Sequence, residues 1–324
     1  MAYPSELRHS ALSGRWVLIA AGRAKRPDDW PAPPKPKVRR DPFKPANIPK
    51  ADITGSIPDE RGDWKVVSIK NKFPFLAPGP RPDLRGHVRD GYGFHEIVIH
   101  SRDPKLNFED FTPQHTAAVL ELFWQRYQSL AKEPRIKHVQ IFTNRGHEAG
   151  ASVAHPHSQI VALPIVPPYV QRLMDVSQAY FKQHGESVVE DEISRETREA
   201  TRVIEETEHF MAYCPFAPRA NFHVRVLPKR GRTRFQTISV RERADLAIMI
   251  NRTYRRLDAV SNIPPYNSYL HTPPVSMRDD PGFRWHMDVV PHLSTPGGLE
   301  LSTGLDVLTV APEEAARQLR AVKL

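Results

Sequence analysis

The segment NRGHEAGASVAHPHSQ, residues 144–159, decides the fold because it joins two runs of β-forming residues. These runs cover residues 138–142 and 160–166, so the sequence predicts two strands connected by a loop rich in small residues. Side chains alternate across a strand, and residues two apart therefore point to the same face. The second strand is predicted to present three polar side chains together: His155, His157 and Gln159.

The loop before this strand is rich in hydrogen-bond donors. Asn144, Ser152 and the backbone amides of Gly150 and Ala151 are candidates to hold phosphoryl oxygens. Pro156 cannot donate a ladder hydrogen bond, which predicts that the strand begins at a sheet edge or at a bulge-like opening. A His-x-His pair also occurs in metal sites and on solvated strand faces, so the pair alone does not establish catalysis.

The complete segment resembles the galactose-1-phosphate uridylyltransferase family of the histidine-triad superfamily. The resemblance is strongest to the branch that holds hexose-1-phosphate uridylyltransferases and ADP-glucose phosphorylases, and it covers nearly the whole chain. Further matches follow in the same order along the sequence, at residues 7–8, 14–20, 23–27, 71–74, 95–99, 285–288 and 298–300.

The order of predicted elements repeats in the second half of the chain. The tripeptides 155–157 (His-Pro-His) and 286–288 (His-Met-Asp) each close a block of strand, helix and strand, which indicates a degenerate duplication of about 130 residues. With the resemblance, this predicts an α+β fold of two fused histidine-triad-like halves with antiparallel sheets and flanking helices. Residues 1–180 would carry the catalytic motif, and residues 181–324 a degenerate motif with a contribution to sugar binding.

Two helices are predicted from the spacing of apolar residues. Thr112 followed by Pro113 is typical of a helix start, and the residues after it place a stripe at three- and four-residue steps: Leu120, Phe123, Tyr127 and Leu130. The segment 240–260 carries an equivalent stripe. A charged, largely helical region is predicted at 169–206, and a short helix after Ala311.

The resemblance implies that His157 is a nucleophile that attacks the α-phosphorus of a nucleoside diphosphate sugar. The nucleotide would then pass from the histidine to a second acceptor, with ping-pong kinetics. Gln159 lies where related hydrolases have a third histidine, and an amide cannot deliver a proton, so this residue favours transfer over hydrolysis. His155 would orient His157 or pack as a polar core residue.

Further site residues are also implied by the resemblance. Arg23 and Arg26 match arginines near the phosphates, and Asn71 matches an asparagine that contacts the nucleotide. A sugar-binding group is expected near the C-terminus, where adjacent glycines allow close approach of the backbone: Gly297, Gly298 and Glu300.

The family's structural zinc ligands are largely replaced in this sequence. The first set falls at Asp41, Lys44, Pro104 and His155, and the second set falls near Ser187, Glu190, Gly231 and Arg284. Tetrahedral zinc requires four nitrogen or sulfur ligands, so we expect no structural zinc and no other cofactor. A residual metal site of His271, His286 and Asp288 is an alternative.

Composition restricts the class of protein. The 324 residues are 40% hydrophobic, carry a net charge of +9 and include one cysteine, Cys214. We expect anionic small-molecule substrates and no nucleic-acid partner, because no nucleic-acid-binding motif is recognised. No apolar run predicts a membrane span, and one cysteine fits a reducing cytoplasm. The resemblance implies a homodimer.

The sequence therefore predicts an enzyme that transfers a nucleoside monophosphate between hexose 1-phosphates, with UDP-glucose as the first donor. An ADP-glucose phosphorylase, with phosphate as acceptor, is the nearest alternative. A nucleotide hydrolase is disfavoured by Gln159. A non-catalytic nucleotide-sugar-binding protein is the alternative from another class.

Overall fold

A ten-stranded antiparallel sheet runs through both halves of the computed structural model, which describes residues 6–19, 41–79, 91–231, 234–261, 264–277, 280 and 282–324. Its strands are β3 (Ile53–Pro58), β4 (Trp64–Lys70), β5 (Phe94–Ile99), β6 (His138–Arg145), β7 (His157–Leu163), β8 (Val203–Glu206), β9 (Phe210–Tyr213), β10 (Val224–Pro228), β11 (Tyr266–His271) and β12 (His286–Pro291). They lie in the order β3-β4-β5-β7-β6-β11-β12-β10-β9-β8. A smaller sheet has the order β1 (Glu6–His9), β2 (Trp16–Ile19) and β13 (Asp306–Leu308).

The two halves meet where β6 pairs with β11. Asn144 of the first half lies opposite Asn267 of the second, and Phe142 lies opposite Tyr269. The sheet is therefore continuous across the chain. The prediction of an α+β fold with two fused halves, antiparallel sheets and flanking helices is confirmed.

Helices flank this sheet on both faces. They are α1 (Pro113–Ala131), α2 (Pro168–His184), α3 (Val188–Glu199), α4 (Val240–Ser261), α5 (Gly298–Thr303) and α6 (Pro312–Ala321), of which α1, α4 and α6 pack on the face that holds the main core, and α1 and α4 pack against each other. Val188 and Val189 of α3 pack on the other face, against Met211 and Tyr213 of β9. The hydroxyl of Thr112 accepts a hydrogen bond from the backbone N–H of His115 and caps α1, as its sequence predicts. The whole predicted stripe of α1 is buried, and burial stabilises the fold by about 1.5–3 kcal/mol for each such side chain.

The opposite face of the first half is polar at its centre. Gln159 lies opposite Phe142 on one neighbouring strand and opposite Ile97 on the other, so these side chains share a face. The odd-numbered neighbours His157 and His95 belong to the same face. The alternate residues, such as Ile160, belong to the core under α1. The register thus places the polar residues of the motif away from the main core.

The structure corrects the prediction for the start of β7. This strand lies between β5 and β6, not at an edge, and it begins at His157, directly after Pro156. The carbonyl of Pro156 still accepts a hydrogen bond from the backbone N–H of His100, so the missing N–H of proline does not interrupt the pairing. Of the three polar residues predicted to share one face of this strand, His155 precedes the strand, and His157 and Gln159 lie on its face.

Candidate active site

His157 is held in one tautomer by its own backbone. Its Nδ1 donates to the carbonyl oxygen of His155 at 2.8 Å, so in the neutral ring Nε2 carries the lone pair. The side chain is buried, and burial lowers the pKa of His157 below its ordinary value. The ring is therefore neutral at physiological pH, which is the form that can act as a nucleophile.

Gln159 is oriented by His95, which lies on the adjacent strand. The Oε1 atom of Gln159 is 2.8 Å from Nε2 of His95. The Nδ1 atom of His95 accepts a hydrogen bond from the backbone N–H of Phe75 at 3.1 Å, and the Phe75 ring stacks on the imidazole with centroids 4.5 Å apart. Burial lowers the pKa of His95, which keeps its ring neutral.

Asn144 is oriented from the second half of the chain. The Nδ2 atom of Asn267 donates to Oδ1 of Asn144 and to the carbonyl oxygen of Ala149, both at 2.8 Å. The Nδ2 atom of Asn144 lies near Gly150, 3.7 Å from the position that a β-carbon on this glycine would occupy. The amino group of Asn144 therefore faces the loop that leads to His157.

Two glycines shape this loop. Gly146 has φ +83°, and a β-carbon on it would lie 2.8 Å from Cβ of Pro265. Gly150 has φ +85°, a left-handed conformation that residues with side chains rarely adopt. The turn between them, His147–Ala149, is a single 3₁₀ turn. The loop thus needs glycine at both ends, for steric reasons at Gly146 and for conformational reasons at both.

The two loop amides that the sequence predicts to hold phosphate are hydrogen-bonded within the turn. The N–H of Gly150 donates to the carbonyl of His147 at 2.9 Å, and the N–H of Ala151 donates to the carbonyl of Gly146 at 3.1 Å. Both groups close the turn and are not directed at a ligand in this conformation. Ser152 is exposed at the end of the turn, as a residue that meets a ligand from solvent would be.

His155 forms a polar contact at the position of the family's first zinc set. Its Nδ1 is 2.9 Å from Oδ2 of Asp41, and its Nε2 is 2.7 Å from the carbonyl oxygen of Ser101. Both ring nitrogens therefore face oxygen atoms, one of the Asp41 carboxyl group and one of a backbone carbonyl, which fixes the orientation of the ring. Lys44 is exposed and Pro104 has no ligand atom in its side chain, so these residues do not fit a zinc ion.

An ion pair lies at the position of the second zinc set. Arg284 contacts Oε1 of Glu190 at 3.0 Å and donates to the carbonyl oxygens of Pro228 and Lys229, both at 3.1 Å. The Ser187 hydroxyl donates to a backbone carbonyl at 3.4 Å. A guanidinium group is always cationic and cannot bind a metal ion, so this set does not fit zinc either.

The alternative metal site has a charge partner already. The ligand atoms of His271, His286 and Asp288 lie within 4.8 Å of one another, and all three residues are buried. However, Arg225 donates to both carboxylate oxygens of Asp288, at 2.8 and 3.0 Å. This guanidinium provides the positive charge that the buried carboxylate requires, which disfavours a metal cation at the same place.

The other predicted residues differ in how closely they join this site. Asn71 does so, because its Nδ2 lies 3.3 Å from Nδ1 and 3.1 Å from Nε2 of His95. Glu300 instead accepts a hydrogen bond from the N–H of Gly297 and caps α5, with Gly297 and Gly298 exposed. Arg23 and Arg26 lie outside the described residues. Three residues to which no sequence motif gives a role complete these contacts: His95 contacts Gln159, Asn267 contacts Asn144, and His292 contacts Asn267.

Two sequence profiles of a known protein family match most of the chain. The profile of the galactose-1-phosphate uridyl transferase N-terminal domain matches residues 83–167, and that of its C-terminal domain matches residues 174–323. An ADP-glucose phosphorylase from Arabidopsis thaliana is 32% identical over 98% of this chain and 93% of the relative. A galactose-1-phosphate uridylyltransferase from Thermotoga maritima is 26% identical over 98% of this chain and 99% of the relative.

The fold is also similar to a solved structure. The crystal structure of an ADP-glucose phosphorylase from Arabidopsis thaliana with bound ADP-glucose superposes with a TM-score of 0.86 and 30% sequence identity. The match covers 99% of this chain and all of the other. Among the helices of the described part of the chain, none combines the length and the apolar character that a bilayer crossing requires.

Proposed function

Because the chain belongs to the galactose-1-phosphate uridylyltransferase family of nucleotidyltransferases, we propose that it transfers a nucleoside monophosphate through His157. The donor would be a nucleoside diphosphate hexose. The observation that carries this proposal is the hydrogen bond from Nδ1 of His157 to the carbonyl of His155, which leaves a neutral Nε2 as the nucleophile.

The proposed reaction has two steps that balance in charge and atoms. The Nε2 lone pair attacks the α-phosphorus, a P–N bond forms, and the bond from this phosphorus to the hexose phosphate oxygen breaks. Hexose 1-phosphate leaves as an anion with the electron pair. In the second step an oxygen of the phosphate acceptor attacks the same phosphorus, the P–N bond breaks, and His157 is restored. Neither leaving group needs a proton, which suits an amide at position 159.

The side-chain amides near His157 have a defined role in this proposal. Negative charge increases on the non-bridging α-phosphate oxygens during each transfer, and preorganised N–H donors stabilise it. The amino groups of Asn144 and Gln159 are the donors that we assign to these oxygens. Ser152 is assigned to the same phosphate group from the exposed end of the loop, and Asn71 to the nucleotide.

Two donors are candidates. UDP-glucose, with hexose 1-phosphate as acceptor, is the donor that the sequence predicts. Adenylyl transfer from ADP-glucose to phosphate is favoured by the higher identity to the phosphorylase, 32% against 26% for the Thermotoga maritima uridylyltransferase. On this ground we place ADP-glucose first. The names of both relatives indicate carbohydrate metabolism.

We further propose that the protein acts without a metal ion and as a homodimer in the cytoplasm. The direct contacts at the zinc positions, Asp41 with His155 and Glu190 with Arg284, support independence from metal. The buried free thiol of Cys214 supports a reducing compartment. The homodimer rests on the family resemblance.

Intact-protein mass spectrometry tests the proposed function directly. The protein is exposed briefly to ADP-glucose or to UDP-glucose, and the same is done with the variants His157→Gly and His184→Ala. We expect one nucleotidyl adduct per chain, absent in His157→Gly and retained in His184→Ala, which removes an exposed imidazole of α2.

The identity of the adduct decides the donor. An adenylyl adduct supports the phosphorylase activity, and a uridylyl adduct supports hexose-1-phosphate uridylyltransfer. An adduct that survives in His157→Gly contradicts the assigned nucleophile. No adduct with either donor, combined with measurable binding of both, would identify a nucleotide-sugar-binding protein instead.

A further inference from the structure

We propose that His95 and His292 are positioning residues that fix the orientation of the two amides beside His157. Each histidine ends a chain of hydrogen bonds that engages the carbonyl oxygen of one amide, Gln159 or Asn144, and leaves its amino group free for the α-phosphate. We call these chains the Gln159 relay and the Asn144 relay. This inference rests on the proposed function, because it assigns a purpose to amides that act in the transfer.

In the Gln159 relay, a backbone group determines the orientation. The N–H of Phe75 can only donate, so Nδ1 of His95, 3.1 Å away, must be the acceptor. The proton of the neutral ring then lies on Nε2. This nitrogen donates to Gln159 at 2.8 Å, and its partner must be the carbonyl oxygen Oε1. The amino group of Gln159 is directed away from His95.

In the Asn144 relay, a backbone group again determines the orientation. The carbonyl oxygen of Ala149 can only accept, so the Asn267 atom 2.8 Å from it must be the amino nitrogen Nδ2. The second proton of Nδ2 goes to Oδ1 of Asn144 at 2.8 Å. The Oδ1 atom of Asn267 then faces Nε2 of His292 at 2.5 Å and accepts its proton.

The burial of the terminal histidines agrees with these tautomers. His292 is half-buried, and burial lowers its pKa, so the ring is neutral and has a single N–H to donate. The same holds for His95. A relay that ends in histidine therefore has one arrangement at neutral pH, whereas an isolated asparagine or glutamine can turn its amide by 180° at little cost.

The register of the sheet brings both amino groups to His157. Thr143 pairs with Ser158, so Asn144 lies one residue further along β6 and beside His157 on β7. Gln159 lies two residues beyond His157 on the same face. The nucleophile is thus flanked on both sides. A reversed amide would present a carbonyl oxygen to an anionic phosphate, and the relays prevent this reversal.

The relays also explain why the second half of the chain is needed for a site in the first. Asn267 lies on β11 and His292 follows β12, so one relay belongs to the degenerate half. The side-chain amide of Asn267 is brought to Asn144 by the pairing of β11 with β6. The second half contributes orientation to the reaction even though Asp288 replaces the histidine of its own motif.

The test compares the rate of His157 nucleotidylation in a single turnover across a set of His292 variants. His292→Phe removes the donor, and His292→Gln restores an N–H that can reach Asn267. Loss of a complete oxyanion donor costs about 10²–10³-fold in rate, so loss of its orientation alone is expected to cost about 10-fold. We expect His292→Phe to slow nucleotidylation by about this factor with little change in donor affinity, and His292→Gln to recover most of it.

A double-mutant cycle separates positioning from a structural effect. In an Asn144→Ala background no amide remains for the relay to orient, so His292→Phe should change the rate by less than about 2-fold. The matching pair is His95→Phe, alone and with Gln159→Ala. The same 10-fold loss in both backgrounds would overturn the proposal, as would a wild-type rate for His292→Phe and His95→Phe.

A measurement without substrate keeps this inference separate from the proposed function. Long-range ¹H–¹⁵N correlation spectra report which imidazole nitrogen carries the proton, and we expect the Nε2–H tautomer for His95 and His292. The Nδ1–H tautomer for either residue would refute its relay even if nucleotidyl transfer is confirmed. Failure of the wild-type protein to form an adduct, with the expected tautomers present, would refute the transfer and leave the relay geometry intact.

Discussion

Replacing Asp41 by alanine is expected to destabilise the protein by about 2–4 kcal/mol. The carboxylate is the hydrogen-bond partner of His155, whose side chain is fully buried, and a hydrogen bond to a charged group contributes about 1.5–3 kcal/mol. The same carboxylate accepts a hydrogen bond from the backbone N–H of Phe43 at 2.9 Å, which adds about 0.5–1.5 kcal/mol. Asp41→Asn can keep both contacts with a neutral imidazole and should cost about 1 kcal/mol or less.

Urea denaturation followed by fluorescence and circular dichroism measures this loss. The matched control is Lys44→Ala, which changes the neighbouring position of the same predicted zinc set but removes an exposed side chain, with an expected change within about 0.5 kcal/mol. Addition of a chelator should leave the wild-type midpoint unchanged. The reasoning is refuted if the chelator destabilises the wild-type protein, or if Asp41→Ala and Lys44→Ala have equal, small effects.

Three further predictions follow from the geometry. Burial lowers the pKa of His157 below 6.5, so the single-turnover rate should stay level from pH 8 to about 6.5 and fall only in more acidic buffer. A midpoint of this pH profile at or above 6.5 would contradict the prediction. In Gly146→Ala the new methyl group meets a proline ring at a positive φ, so this variant should lose about 1–3 kcal/mol of stability and form the nucleotidyl adduct more slowly. In Gly185→Ala, φ is +75° but the space is open, so this variant should lose about 1 kcal/mol in the same denaturation assay and keep the wild-type rate. Arg225→Met leaves a buried carboxylate without its main partner and should cost about 3–5 kcal/mol, whereas Arg317→Met in an exposed pair should leave the denaturation midpoint unchanged. Equal losses would contradict the argument.

Local sequence patterns predicted much of the architecture. The Thr112-Pro113 start and the apolar stripe after it correspond to α1, and the segment 240–260 corresponds to α4, which ends one residue later. Alternation also placed His157 and Gln159 on one face. These features depend on residues within a few positions of one another, so a single sequence contains the information that defines them.

Long-range contacts account for the site residues that local sequence patterns do not reveal. Asn267 is 123 residues from Asn144, and only the pairing of β6 with β11 brings their side chains together. His95 is 64 residues from Gln159 and reaches it from the neighbouring strand. The loop amides of Gly150 and Ala151 were assigned to phosphate because composition shows which residues can donate, but not which donors the turn itself uses.

The continuous pairing of β6 with β11 also has a consequence for stoichiometry. In an assembly of two identical polypeptides, any substitution in one copy appears in the other, so a nucleophile and its replacement cannot coexist. Here the two copies are covalently joined and paired as neighbours in one sheet, so they have been free to differ: His157 stands in one and Asp288 at the corresponding place in the other. In the proposed transfer, each chain would therefore use one imidazole at this position, and the asymmetry between the two halves is built into the polypeptide itself.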